Sequence, residues 1–95
     1  MFVVFLKFSG DRSRASELLE GHNAWIRRGF DNGVFLIVGS LQARLGGGIV
    51  ANNTSRSDIE ERLKADPFVA EKIVSVEIVE ITPATVDERL NFLLG

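Results

Sequence analysis

The chain has 95 residues, 45% of them hydrophobic, with 11 basic and 13 acidic side chains and a formal net charge of -2; this fits one small domain with a thin core. Its basic residues are scattered rather than gathered into a patch that would neutralise phosphates, which argues against nucleic acid as a partner. With no cysteine and one histidine, it lacks a disulfide framework, a thiolate nucleophile and a clustered set of transition-metal ligands.

The stretch "FVVFLKF" at residues 2–8 gathers β-branched and aromatic residues ahead of Ser9 and Gly10 and predicts a buried strand. It is too short to cross a membrane, and Asp11 follows soon after, unlike a signal sequence, so the expected setting is cytoplasmic, with no membrane partner. Ala15, Leu18, Leu19, His22, Trp25 and Ile26 recur every three or four residues and predict an amphipathic helix over about 12–28, ended by Gly29 to Gly33. "VFLIVGSL" at 34–41 is a second strand and "GGGIVAN" supplies a third over about 47–52, with Arg44 to Gly46 as the hairpin turn. Ser55, three residues before Asp58, signals a cap, and Ile59 with Leu63 predicts a helix over about 56–65 that Pro67 stops. "KIVSVEIVEI" at 72–81 is a fourth strand, and Thr85 with Glu88 resembles a capping box opening a last turn or two through Leu94.

This order predicts an α+β, ferredoxin-like βαββαβ fold, a four-stranded antiparallel sheet with two helices on one face. Residues 1–95 form a single domain in this reading, with a C-terminal tail from about 83. Strand one is apolar on both sides, Val3 and Phe5 against Phe2, Val4, Leu6 and Phe8; strand two sets Val34, Leu36 and Val38 against Phe35 and Ile37. Two helices cover only one face, so a homodimer packed through the other is expected, aided by the tail.

His22 lies on the apolar stripe of the first helix, where an imidazole loses water and needs partners for its ring nitrogens. Asp66 in "LKADPF" lies at the end of the second helix, on the same side of the sheet, and is the candidate partner. A carboxylate on one ring nitrogen would fix the tautomer and free the other as a base; the plainer readings are a satisfied core histidine and a helix cap before Pro67. Ser40 after Gly39 is a candidate for binding a substrate oxygen or ordinary turn chemistry. Trp25 and Phe68 are candidates for lining an apolar cavity or simply for the core. Arg44 is a candidate contact for an anionic substrate or a solvated turn residue. "GGGIV" at 46–50 opens a strand instead of joining a strand to a helix, so it is not a dinucleotide fingerprint.

Taken together, "GHNAWIRRGFDNGVFLIVGSL", "GGGIVA", "DPFV" followed by a hydrophobic strand carrying an acidic residue, and "DERLNFLLG" resemble the YciI-like proteins, also called the YCII-related domain. The resemblance runs over essentially the whole chain through order and spacing rather than any one motif. It implies the ferredoxin-like fold, a dimer related to the dimeric α+β barrels that include muconolactone isomerases, and an active site. His22 and Asp66 would correspond to that family's His-Asp dyad, and Gly39 and Ser40 to the Gly-Ser pair beside its pocket. Many members carry a small residue after DPF where this chain has Glu71 and Lys72, which alters the expected shape and charge of one rim.

Two classes of function follow. In the first, a cofactor-independent small-molecule enzyme of lyase, dehydrochlorinase or isomerase type uses His22, oriented by Asp66, to move protons, with Ser40 and backbone N–H groups stabilising negative charge. The resemblance supports it, since that family includes a dehydrochlorinase acting on a chlorinated hydroxyhydroquinone. In the second, a dimeric ligand-binding or accessory domain uses His22 as a polar anchor. Haem binding, known among relatives of the barrel group, would have His22 as its sole candidate axial histidine.

Overall fold

A computed structural model describes residues 1–94; Gly95, the end of the expected tail, lies outside the described residues. Strand β1 (Phe2–Phe8) alternates as its sequence dictates, with Phe2, Val4 and Leu6 buried and Lys7 exposed. The Asp11 carboxylate then accepts the Ser13 N–H at 3.0 Å and opens a single 3-10 turn over Arg12–Arg14. Helix α1 follows as Ala15–Asp31, so the helix expected from about 12 begins as a tighter turn. It also continues past Gly29, because that glycine is a packing notch and not a terminator: a Cβ there would run into the Phe35 ring. Phe30 beyond it packs edge-on against Phe35, centroids 6.1 Å apart.

Strands β2 (Phe35–Leu41) and β3 (Gly46–Ala51) form the hairpin around a turn at Gln42–Arg44. The register slips between Phe35 and Ile37, and this bulge corrects the expected faces of β2: Phe35 is buried and Val38 packs against the same core, while Ile37 is 61% exposed. Helix α2 (Arg56–Lys64) is capped as expected, the Ser55 hydroxyl accepting the Asp58 N–H at 3.1 Å. Pro67 does not simply stop it. It begins a third, four-residue helix, α3 (Pro67–Ala70), since its fixed φ suits a first helical position and needs no N–H partner. Strand β4 (Val74–Glu80) starts two residues later than expected because Lys72 turns the chain with φ 59°. In the tail a 3-10 segment spans Glu88–Leu94, and its first N–H groups are met by Asp87, which accepts from Arg89 at 2.9 Å, instead of by Thr85.

The sheet order is β2-β3-β1-β4 with every neighbouring pair antiparallel, the α+β ferredoxin-like plan with its helices on one face. Trp25, Ile59, Leu63, Phe68 and Ile73 pack against Phe2, Val4, Leu6, Phe35, Ile49 and Ala51 to make the core. On the other face Val3 lies between Val50 and Val79, and Phe5, two residues along, lies between Gly48 and Glu77, with Val79 40% exposed. In the tail, Leu90, Phe92 and Leu94 are exposed. No helix is long and apolar enough to cross a membrane, among the described residues.

Candidate active site

The approach of α3 to α1 builds the site. Gly21, in mid-helix, weakens α1 locally but clears the path for α3: a Cβ there would sit 3.0 Å from Pro67 Cγ. Asp66, the residue before Pro67, is thereby held beside His22, the residue after Gly21. His22 Nδ1 lies 2.7 Å from Asp66 Oδ1. The same oxygen accepts the Phe68 N–H at 3.2 Å, so Asp66 caps α3 and contacts the histidine at once. Because Oδ1 already acts as an acceptor, His22 Nδ1 is the donor, and in the neutral ring the lone pair resides on Nε2.

Asp66 is completely buried and its Oδ2 has no hydrogen-bond partner among the described residues. Burying an acceptor unpaired is costly, and burying an ionised carboxylate is tolerable only with partners such as the imidazole provides. The His22 ring packs against two other rings. It lies parallel to Phe68 with centroids 3.9 Å apart and 5° between planes, and stacks more loosely on Trp25 at 5.9 Å. Orientation is thus set by packing as well as by the carboxylate, while Nε2 has no hydrogen-bond partner among the described residues.

His22 lines a cavity of about 310 Å³ between the helices and the β2–β3 end of the sheet. Leu6, Phe8, Ile26, Val38, Ile49 and Phe68 give it apolar walls, and Asn23 and Ser40 are its other polar side chains. Ser40 lies opposite Gly47 on the helix-facing side of the ladder, and its hydroxyl makes no hydrogen bond within the described residues. The expected residues are therefore brought together with one exception. His22, Gly39, Ser40 and Phe68 line the cavity, Asp66 stands behind His22, but Trp25 does not line it. Trp25 is 1% exposed and its indole N–H donates to the Arg62 carbonyl at 2.8 Å, which fixes it as the brace between α1 and α2.

Glu71 and Lys72 are not among the lining residues either. Glu71 accepts from Arg14 at 3.0 Å, and together with Glu17 it holds the Arg14 guanidinium above its ordinary pKa, the Glu17 hydrogen bond being the larger cause. Arg44 likewise lies outside the cavity, at a neighbouring surface depression. Sequence reasoning missed Gly21, Asn23 and Gly47. Of these only Gly21 left a usable signal, a glycine inside a helical pattern directly before the histidine. No group of three or more potential metal ligands occurs among the described residues.

No family model matches the chain, and no curated protein matches it in sequence. Among solved structures, it is similar to 5-chloro-2-hydroxyhydroquinone dehydrochlorinase from Burkholderia phenoliruptrix AC1100, in its complex with 2,5-dihydroxybenzoquinone. The likeness has a TM-score of 0.72 and covers 84% of this chain and 91% of that one, at 11% sequence identity. It establishes that this chain has the same α+β fold as that dehydrochlorinase.

Proposed function

We propose that the chain is a cofactor-independent small-molecule enzyme in which His22 moves a proton and Asp66 positions it, as in the YciI-like proteins that its sequence resembles. The observation that carries this reading is the 2.7 Å bond between a fully buried carboxylate and a histidine whose other nitrogen is left for the cavity. In the forward step Nε2 takes a proton from a substrate C–H or O–H. The electron pair left behind either expels a leaving group, as in a lyase, or shifts a double bond, as in an isomerase; the imidazolium then gives its proton to the departing group or to solvent in the first case and to a different substrate carbon in the second. Asp66 offsets the positive charge that the ring gains, and the Ser40 hydroxyl donates to the oxygen on which negative charge grows. That a protein of this fold is a dehydrochlorinase and binds a dihydroxybenzoquinone supports the lyase form of this chemistry.

The working unit in this reading is a cytoplasmic homodimer. The apolar sheet face of Val3, Phe5, Val50 and Val79, with the exposed apolar tail side chains, is the surface a second copy would cover. Sedimentation as a monomer at micromolar concentration removes this part of the proposal. The alternative, a ligand-binding domain with His22 as a polar anchor, rests on the same cavity.

His22→Asn separates the two. In an enzyme it lowers proton transfer, read as hydrogen–deuterium exchange at carbon in a small cyclic substrate, by about a hundredfold or more, while binding weakens far less. Ligands that bind but never exchange or turn over in the wild type sink the catalytic reading and leave the binding domain.

A further inference from the structure

The cavity beside His22 is floored by backbone. Gly46, Gly47 and Gly48 follow one another in β3, and Gly39 lies opposite Gly48 on β2. Glycine weakens a strand, so four of them at one corner of a sheet require a reason. For Gly46 the chain itself supplies it, since its φ is 142° and a Cβ would run into the Leu6 carbonyl. The other three have no such constraint. A Cβ at Gly39 would meet nothing within 4 Å, one at Gly48 would lie 3.5 Å from Leu41 Cδ2, and one at Gly47 would lie 3.4 Å from the Gly39 carbonyl oxygen.

Register separates these three. Gly47 is opposite Leu6 on one side and Ser40 on the other, so its missing side chain faces the helices and the cavity; Gly48, opposite Phe5 and Gly39, faces the other way. Only at Gly47 does the absence of a side chain leave room inside. Strand β3 lies between β2 and β1, so the peptide groups around Gly47 are spent in the two ladders, and the floor offers a flat surface without free donors. Apart from His22, whose charge Asp66 offsets when the ring carries a second proton, no titratable side chain lines the cavity among the described residues, so a carboxylate or phosphate entering it would lose water without meeting an unpaired cation.

We infer that Gly47 determines the specificity of this cavity: its bare backbone is the floor for a flat, uncharged ring whose edge oxygen meets His22. The inference deepens the reading of His22 given above and rests on that residue being the group the ligand meets. A methyl group added at Gly47 occupies the floor, while one added at Gly39 or Gly48 lies on the far side of the sheet.

Phenol, benzoate and cyclohexanol, titrated by NMR into the wild type and into Gly47→Ala, Gly48→Ala and Gly39→Ala, test it. Phenol shifts the His22 ring and Gly47 amide signals saturably, and benzoate at neutral pH and cyclohexanol bind about tenfold more weakly. Gly47→Ala weakens phenol binding by about tenfold or more, and the other two variants change it by less than about twofold. Intermolecular NOEs between phenol and the Gly47 Hα protons in the wild type carry the test if Gly47→Ala fails to fold. Phenol binding unchanged in a folded Gly47→Ala, no such NOE, or equal binding of benzoate or cyclohexanol overturns the inference. Phenol seated on Gly47 in a protein that moves no proton in any substrate overturns the catalytic reading alone.

Discussion

Helix α1 is tied to the helices beside it by two polar links three residues apart. His22 meets Asp66 at 2.7 Å and Trp25 meets the Arg62 carbonyl at 2.8 Å. The links are alike in length and in joining a ring on α1 to a group at or beyond the end of α2, yet they differ in what is left over. The indole has one donor and the carbonyl takes it, so that link is complete. At the other, His22 keeps a second nitrogen and Asp66 a second oxygen, and neither has a partner among the described residues. A completed polar link is explained by the fold it holds. An incomplete one, kept at a cost in stability, is where chemistry is to be sought.

The difference can be sharpened first at Trp25, where the largest change in stability is expected. Trp25→Ala empties the centre of the helical layer and should cost about 3–5 kcal/mol, read by urea and thermal unfolding. Trp25→Phe keeps most of the packing and removes the indole donor, while the Arg62 carbonyl still accepts the Ala65 N–H at 3.1 Å, for a smaller loss of about 1 kcal/mol. Folded Trp25→Phe should bind cavity ligands as the wild type does, because Trp25 stands outside the cavity. A loss of ligand binding with unchanged stability would reverse the roles assigned to the two links.

The fold was legible because its signals are local. Alternation in β1, the three-and-four spacing of α1 and the Ser55 cap each belong to a few neighbouring residues. What escaped depends on contacts distant in sequence. Gly29 reads as a helix stop until Phe35 is seen to fill the space above it, and the bulge after Phe35 turns that ring inward against simple alternation. The site followed the same division. His22 was visible as an imidazole on an apolar stripe, and Asp66 as a carboxylate on the same side of the sheet. Trp25 shares the stripe, but which residues of a stripe reach a cavity depends on where the second helix lies, and α2 covers Trp25. Gly47 carried no sequence signal, because its neighbours Gly46 and Gly48 look the same and only strand register distinguishes them.

The incomplete link is tested by Asp66→Asn, whose effect on stability is the smaller one. The wild-type carboxylate oxygen accepts from both His22 Nδ1 and the Phe68 N–H, which holds the neutral ring as the Nδ1–H tautomer. An asparagine has two choices in the same space. With its carbonyl toward His22 it keeps both hydrogen bonds but places an NH2 group where Oδ2 has no partner. With its NH2 toward His22 it forces the proton to Nε2 and leaves the Phe68 N–H unpaired. Either arrangement strands a buried donor and should cost about 1–3 kcal/mol, and neither supplies the negative charge that supports an imidazolium. The expected result is a mixture of tautomers in the His22 ring nitrogen shifts, against a single Nδ1–H form in the wild type, with proton transfer lost in both arrangements. If the ring keeps one tautomer and stability does not fall, the carboxylate neither orients nor stabilises the histidine. The His22–Asp66 link is then no more than a second brace like Trp25 and Arg62.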